Sequence, residues 1–228
     1  SAFQVPTYSM NGPVDIILYL ILGLTAALVG IMFMKMLNFS ENVFDNWKFP
    51  QILKPAVGGV LLGILGLAYM SLPGLEFPGS SGAHGGGLEI PLPHMYGSGF
   101  PFIEAAIQGN AGLWILVLLI FIKPLATAFT LGSGNSGGVF APSLFIGAML
   151  GGAMGHFFSI WFPSITGNTG AFALVGMAAL FSATARAPLT AMLIVFEMSN
   201  DYSMILPLMV AGVTASYFSQ WLHPESIY

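Results

Sequence analysis

From Pro124 to Ala185 the chain carries no formally charged side chain. That run is about three times the ~20 apolar residues that cross a bilayer as a helix, and glycines and prolines interrupt it. It must hold several helices, some shorter than the bilayer is thick. Ile16–Met34 and Pro55–Leu75 are also free of charge, each close to one crossing. Only 6% of the 228 residues are charged while 56% are hydrophobic; soluble domains carry about 25% charge. Segments of this kind satisfy their peptide groups internally, as helices do. The chain reads as an all-α polytopic integral membrane protein, with the lipid bilayer as its surroundings.

Other classes fall away quickly. There is no cysteine, so neither disulfides nor thiolate metal sites are expected. A net charge of −4 leaves no basic surface for nucleic acid. No phosphate loop of the G-x-x-x-x-G-K-[ST] type occurs, and no cofactor is implied. His84 and His94 lie in one glycine-rich stretch without a carboxylate cluster, so no metal site is expected. Residues 1–228 read as a single transmembrane region. The opening Ser1-Ala2-Phe3 without Met, and the helix-start signal Pro224-Glu225-Ser226 just before the last residue, give both ends the look of truncation.

Turn and cap signals divide the chain. Helices are expected over 13–37, 52–72, 101–109, 111–131, 139–158, 170–184, 188–198 and 203–221. A polar connection is expected over 38–50, and an aqueous glycine- and proline-rich loop over 73–99. Lys35, Lys48 and Lys54 flank the connection, which places it on the cytoplasmic side by the positive-inside tendency. Gly58, Gly59, Gly63 and Gly66 suit close packing of the second helix.

Two stretches carry chemistry. Gly132-Ser133-Gly134-Asn135-Ser136-Gly137-Gly138-Val139-Phe140-Ala141-Pro142 sets a polar loop between apolar segments and leads into a helix. Non-helical backbone at membrane depth is tolerated where it lines a cavity. Open N–H groups and the positive end of the helix dipole favour an anion there. Pro142 fits the first helical turn, where its missing N–H costs no helical bond. The second stretch holds Arg186, the only arginine, and Glu197. Both are site candidates by their surroundings, and both read more readily as groups finishing helix ends.

Together these stretches resemble the chloride channel and chloride/proton antiporter (CLC) family. The resemblance rests on G-x-F-x-P at Gly138–Pro142, on Arg186-Ala187-Pro188-Leu189-Thr190 with Glu197-Met198, and on Met204-Ile205-Leu206-Pro207-Leu208-Met209. It implies the second half of an inverted-repeat membrane domain with tilted, broken helices. It also implies chloride as transported ligand, held by the Gly138–Phe140 backbone, with Ala141 and Pro142 completing the motif and Tyr228 giving a hydroxyl. A homodimer is implied, with Ile205, Leu206 and Leu208 at its interface. Voltage-gated channel and antiporter remain open alternatives. The family's gating glutamate motif and its proton-path glutamate have no counterpart here, so the missing N-terminal half is needed for a complete pore. Gly97-Ser98-Gly99-Phe100-Pro101 spells the family's serine motif, but it follows a helix that fits the second half, and coincidence is the expectation.

Two other readings stand beside transport. Gly134-Asn135-Ser136-Gly137 matches the G-x-S-G of rhomboid-type intramembrane proteases, with His156 as the base. The chain is alternatively a non-conducting fragment. The transport reading makes it no enzyme.

Overall fold

A computed structural model describes residues 13–72, 93–161, 169–224 and 226–227. Every regular element among them is helical: α1 (Pro13–Asn46), α2 (Lys54–Met70), α3 (Phe100–Ile107), α4 (Leu113–Gly132), α5 (Phe140–Trp161), α6 (Thr169–Ala185), α7 (Pro188–Ser199) and α8 (Ile205–Leu222). Single 3₁₀ turns, Gln51–Leu53 and Tyr202–Met204, precede α2 and α8. Five segments are long and apolar enough to cross a membrane, while Thr169–Ala185 and Pro188–Ser199 are apolar but shorter. At 1.5 Å per residue α6 and α7 reach only about 25 and 18 Å against a ~30 Å core. Short helices inside the fold are thus present as expected.

The expected connection over 38–50 is mostly helix. α1 continues to Asn46 because nothing in 38–46 breaks it and two of its residues are needed inside. Ser40 and Phe44 are buried one turn apart, and Ser40 Oγ donates to Ala128 O of α4 at 2.7 Å. Pro50 then opens the 3₁₀ turn. Of the expected aqueous loop, 73–92 and with it His84 lie outside the described residues.

The core is organised around α5 and α6, which run antiparallel with their backbones almost touching. Gly147, Gly151 and Gly155 repeat every four residues on one face of α5. A Cβ on Gly147 would overlap Gly176 O, one on Gly151 would overlap Phe172 O, and one on Gly155 would sit 3.0 Å from Thr169 O. Small residues spaced in this way let helices approach within lipid, where no water drives them together. Almost every residue of α6 is buried, because α1, α5, α7 and α8 surround it. Hydroxyls supply the remaining interhelical bonds: Ser182 Oγ donates to Gly212 O at 2.7 Å and Ser219 Oγ to Ala183 O at 2.9 Å.

The glycines of α2 divide into two kinds. Gly58 lies against Ser133 and Gly66 against the Tyr96 hydroxyl, whereas Gly59 and Gly63 face open space. Close packing is the expectation for all four and holds for two, because only one stripe of α2 meets the fold.

Gly151→Val should destabilise the chain by about 3 kcal/mol or prevent folding, since overpacking a rigid backbone contact leaves no side chain to yield. Gly63→Ala should leave stability unchanged or raise it, as alanine is the better helix former. Thermal melts of the purified chain in detergent check both. Equal melting temperatures for parent and Gly151→Val would contradict the crossing.

Candidate functional site

The polar loop after α4 is held along its first half and open along its second. A Cβ on Gly132 would collide with Ser40 of α1, and one on Gly58 with Ser133, so α1 and α2 both press directly on this turn. Gly134 takes φ +85°, a conformation that favours glycine. Asn135 Nδ2 donates to Pro55 O and to Ser133 Oγ, each at 3.1 Å. The Asn135 N–H closes on Thr130 O at 3.1 Å. Beyond that anchor Ser136, Gly137 and Gly138 are exposed, and Val139 is half-buried.

α5 begins at Phe140. Val139 O accepts from Ser143 N–H at 3.1 Å, and Ser143 Oγ donates to Phe140 O at 2.6 Å. These bonds settle the first carbonyls of the helix and leave its first N–H groups aside. Among the described residues no acceptor takes the N–H groups of Gly138, Val139 or Phe140. This is the ordinary condition of a helix N-terminus, here displayed at the surface of an apolar body. The partial positive charge of the dipole adds to the donors.

The chain brings its C-terminal end to the same place. Phe140 stands edge-on to Phe181 of α6, with centroids 5.0 Å apart. One turn further, Thr184 O accepts from the Ile227 N–H at 3.0 Å. Ile227, the residue before Tyr228, therefore rests on the end of α6 that meets the start of α5. Tyr228 itself lies outside the described residues.

Arg186 shows what its sequence position only half reveals. It takes φ +54° where α6 ends, and its guanidinium donates to Pro224 O and His223 O. It ties the chain after α8 to the end of α6, and the helix-finishing reading describes it. His223 is the C-cap residue of α8 and contributes that carbonyl. Glu197 is exposed near the end of α7.

Ser136 and His156 are not brought together. Ser136 precedes α5 while His156 lies within its last two turns, and the 16 residues from Phe140 to His156 alone span about 24 Å. The His156 ring sits 3.2 Å from Ala111 O through Nε2. A proton-transfer pair needs hydrogen-bond reach, so the protease reading fails on geometry. Among the proposed interface residues, Ile205 and Leu206 are 40% and 46% exposed, whereas Leu208 is 1% exposed. Leu208 packs into the chain's own core and is not on offer to a partner. Among the described residues no group of three or more metal-ligating side chains gathers.

One feature carries no warning in the sequence. The segment just before α3 is stitched to three helices. His94 Nδ1 lies 2.9 Å from Tyr69 Oη of α2, and the Tyr96 hydroxyl donates to Leu62 O at 2.7 Å. Lys123 of α4 donates to Met95 O and Gly97 O. Gly99, at φ +75°, closes on the Phe145 ring of α5. Ser98 is exposed between two left-handed glycines and leads into α3, not into α5.

A family model described as voltage gated chloride channel matches residues 1–220. The H(+)/Cl(-) exchange transporter ClcA of Vibrio cholerae serotype O1 is 32% identical over 228 residues, covering all of this chain and 45% of the relative. Chloride channel protein CLC-f of Arabidopsis thaliana is 36% identical over 222 residues, covering 92% of this chain and 26% of that protein. The chain thus spans less than half the length of these relatives. Among solved structures, a slow cyanobacterial Cl-/H+ antiporter superposes with a TM-score of 0.75 at 29% identity, over all of this chain and 48% of the other. A CLC-type fluoride/proton antiporter superposes at 0.74 with 18% identity, over 99% of this chain and 48% of the other; that likeness is one of fold. These relatives are transporters and channels, not classical enzymes.

Burial lowers the His94 pKa below its ordinary value. The unfolded chain then takes up the proton first, so this group withdraws stability as pH falls below about 6.5 and leaves it intact above. The melting temperature of the parent should drop further between pH 7.5 and 5.5 than that of His94→Gln. Parallel curves would contradict this.

Proposed function

This chain belongs to the voltage-gated chloride channel family, and we propose that it supplies the anion-binding half of a chloride pathway. Chloride exchanges water for the N–H groups of Val139 and Phe140, with Gly138 allowing close approach of the ion to the backbone. The observation that carries this reading is the start of α5. Among the described residues no acceptor takes its donors, at the positive end of a 22-residue helix. Hydrogen bonds to a charged acceptor are stronger than neutral ones, and the dipole offsets part of the lost hydration. Because no full positive charge touches the ion, it is held weakly enough to leave, as conduction requires.

Tyr228 is the third donor in this proposal. Its phenol O–H adds a neutral hydrogen bond, and support comes from Ile227, the residue before it, whose N–H bonds Thr184 O at the end of α6. The pair Ala141 and Pro142 serves the helix start, not the ion. The exposed stretch Ser136-Gly137-Gly138 forms the face on which the N-terminal half of a complete membrane domain would sit. Residues 1–228 act as one transmembrane region within that domain. Ile205 and Leu206 face lipid or, in a homodimer, a second copy. No covalent chemistry and no resident cofactor are required.

Chloride titration of the purified chain by calorimetry tests the site. Phe140→Pro removes one N–H donor at a helix position that accepts proline and should weaken binding about tenfold or more, the worth of one hydrogen bond to a charged group. Phe140→Leu keeps the donor and should stay within about threefold of the parent. Tyr228→Phe should weaken binding by an intermediate amount. Equal affinity for parent and Phe140→Pro would overturn the assignment.

A further inference from the structure

Lys123 sits in the middle of a bilayer-length helix and is 2% exposed. An ionisable side chain at such depth is costly and marks function more often than packing. Its Nζ donates to Met95 O and Gly97 O, both at 2.7 Å, and stands 4.9 Å from the centroid of the Phe145 ring. Carbonyl dipoles and a ring face solvate an ammonium without cancelling its charge. Among the described residues no carboxylate pairs with it. Tying down the segment before α3 needs a donor, which a neutral side chain would supply without the cost of burying a charge, so that contact alone gives no reason for a lysine.

The position of the charge does give one. Phe145 lies five residues past Phe140 on α5, about 7.5 Å along the axis, and helical side chains lean toward the N-terminus. The ammonium is thus on the order of 15 Å from the Val139 and Phe140 amides. At an effective dielectric of about 20, a unit charge at that range changes anion affinity about fivefold. The charge is enclosed by α4, α5 and the 95–99 segment, where mobile counterions screen it little.

We propose that Lys123 is a buried fixed charge that raises the anion affinity of the α5 N-terminus through space, without touching the ion. This rests on the anion-site reading above. Its role is that of a positioning residue whose effect follows its charge and not its shape.

Chloride and bromide affinities of the purified chain, measured beside its melting temperature, test this with Lys123→Met and Lys123→Arg. Lys123→Met should bind both halides about fivefold more weakly than the parent. Lys123→Arg, which keeps the charge, should stay within about twofold even if its melting temperature falls. A folded Lys123→Met with parental affinity overturns the inference, as does a folded Lys123→Arg that loses as much as Lys123→Met. Should Lys123→Met fail to fold, the affinity of Lys123→Arg decides alone: parental binding is the expected result and a fivefold loss overturns it. A parent that binds no halide overturns the anion site and this inference together, whereas a binding parent with an unaffected Lys123→Met strikes only the latter.

Discussion

Where α5 and α6 cross, peptide backbone meets peptide backbone, because Gly147, Gly151 and Gly176 leave no side chain between them. In lipid such a crossing is held by van der Waals contact over a close approach, and one added methyl removes it. The direction of α5 follows from this contact. So does the place of its first turn, where Phe140 meets Phe181 at the far end of α6. The helix that carries the proposed anion donors is therefore fixed by residues two or more turns away from them.

Around that axis the remaining elements fix the loop. α1 and α2 press on Gly132 and Ser133, and Asn135 locks the turn to Pro55. The donors that follow are then displayed on a short, restrained tether. Arg186 draws the chain after α8 back to the end of α6, which brings Ile227 onto Thr184. Lys123 performs a comparable service for the segment before α3. Buried polar groups in this fold bond backbone carbonyls, those of another element for Ser40, Lys123, Ser182 and Ser219 and those of their own helix for Thr127, Ser143 and Thr184, as expected where water is absent.

Much of this is legible from residue order. Charge-free runs and glycine or proline breaks place the helices after α1 to within a few residues. The polar loop before Pro142 stands out because such a loop has no reason to exist in lipid unless it lines something. The end of α1 is misleading because polarity over 38–46 suggests an aqueous connection, while Ser40 and Phe44 are in fact buried and hold the helix on. The Gly147-Gly151-Gly155 repeat is available as a packing signal and is overshadowed by the motif beside it. Lys123 is hidden for a different reason. A lone lysine inside the expected 111–131 helix gives no sign of its surroundings, and only the fold shows two carbonyls and a ring gathered around it. Resemblance places Leu208 at a partner surface, yet helical phase turns it inward, beside Pro207 and against the core.

Backbone donors at the start of α5 holding an anion is the central claim. Anomalous diffraction from crystals of the chain grown in bromide tests it most directly. The expected result is a bromide peak within hydrogen-bond reach of the Val139 and Phe140 nitrogens. Well-ordered density for that loop with no anomalous peak there, in crystals that show bromide elsewhere, would contradict it.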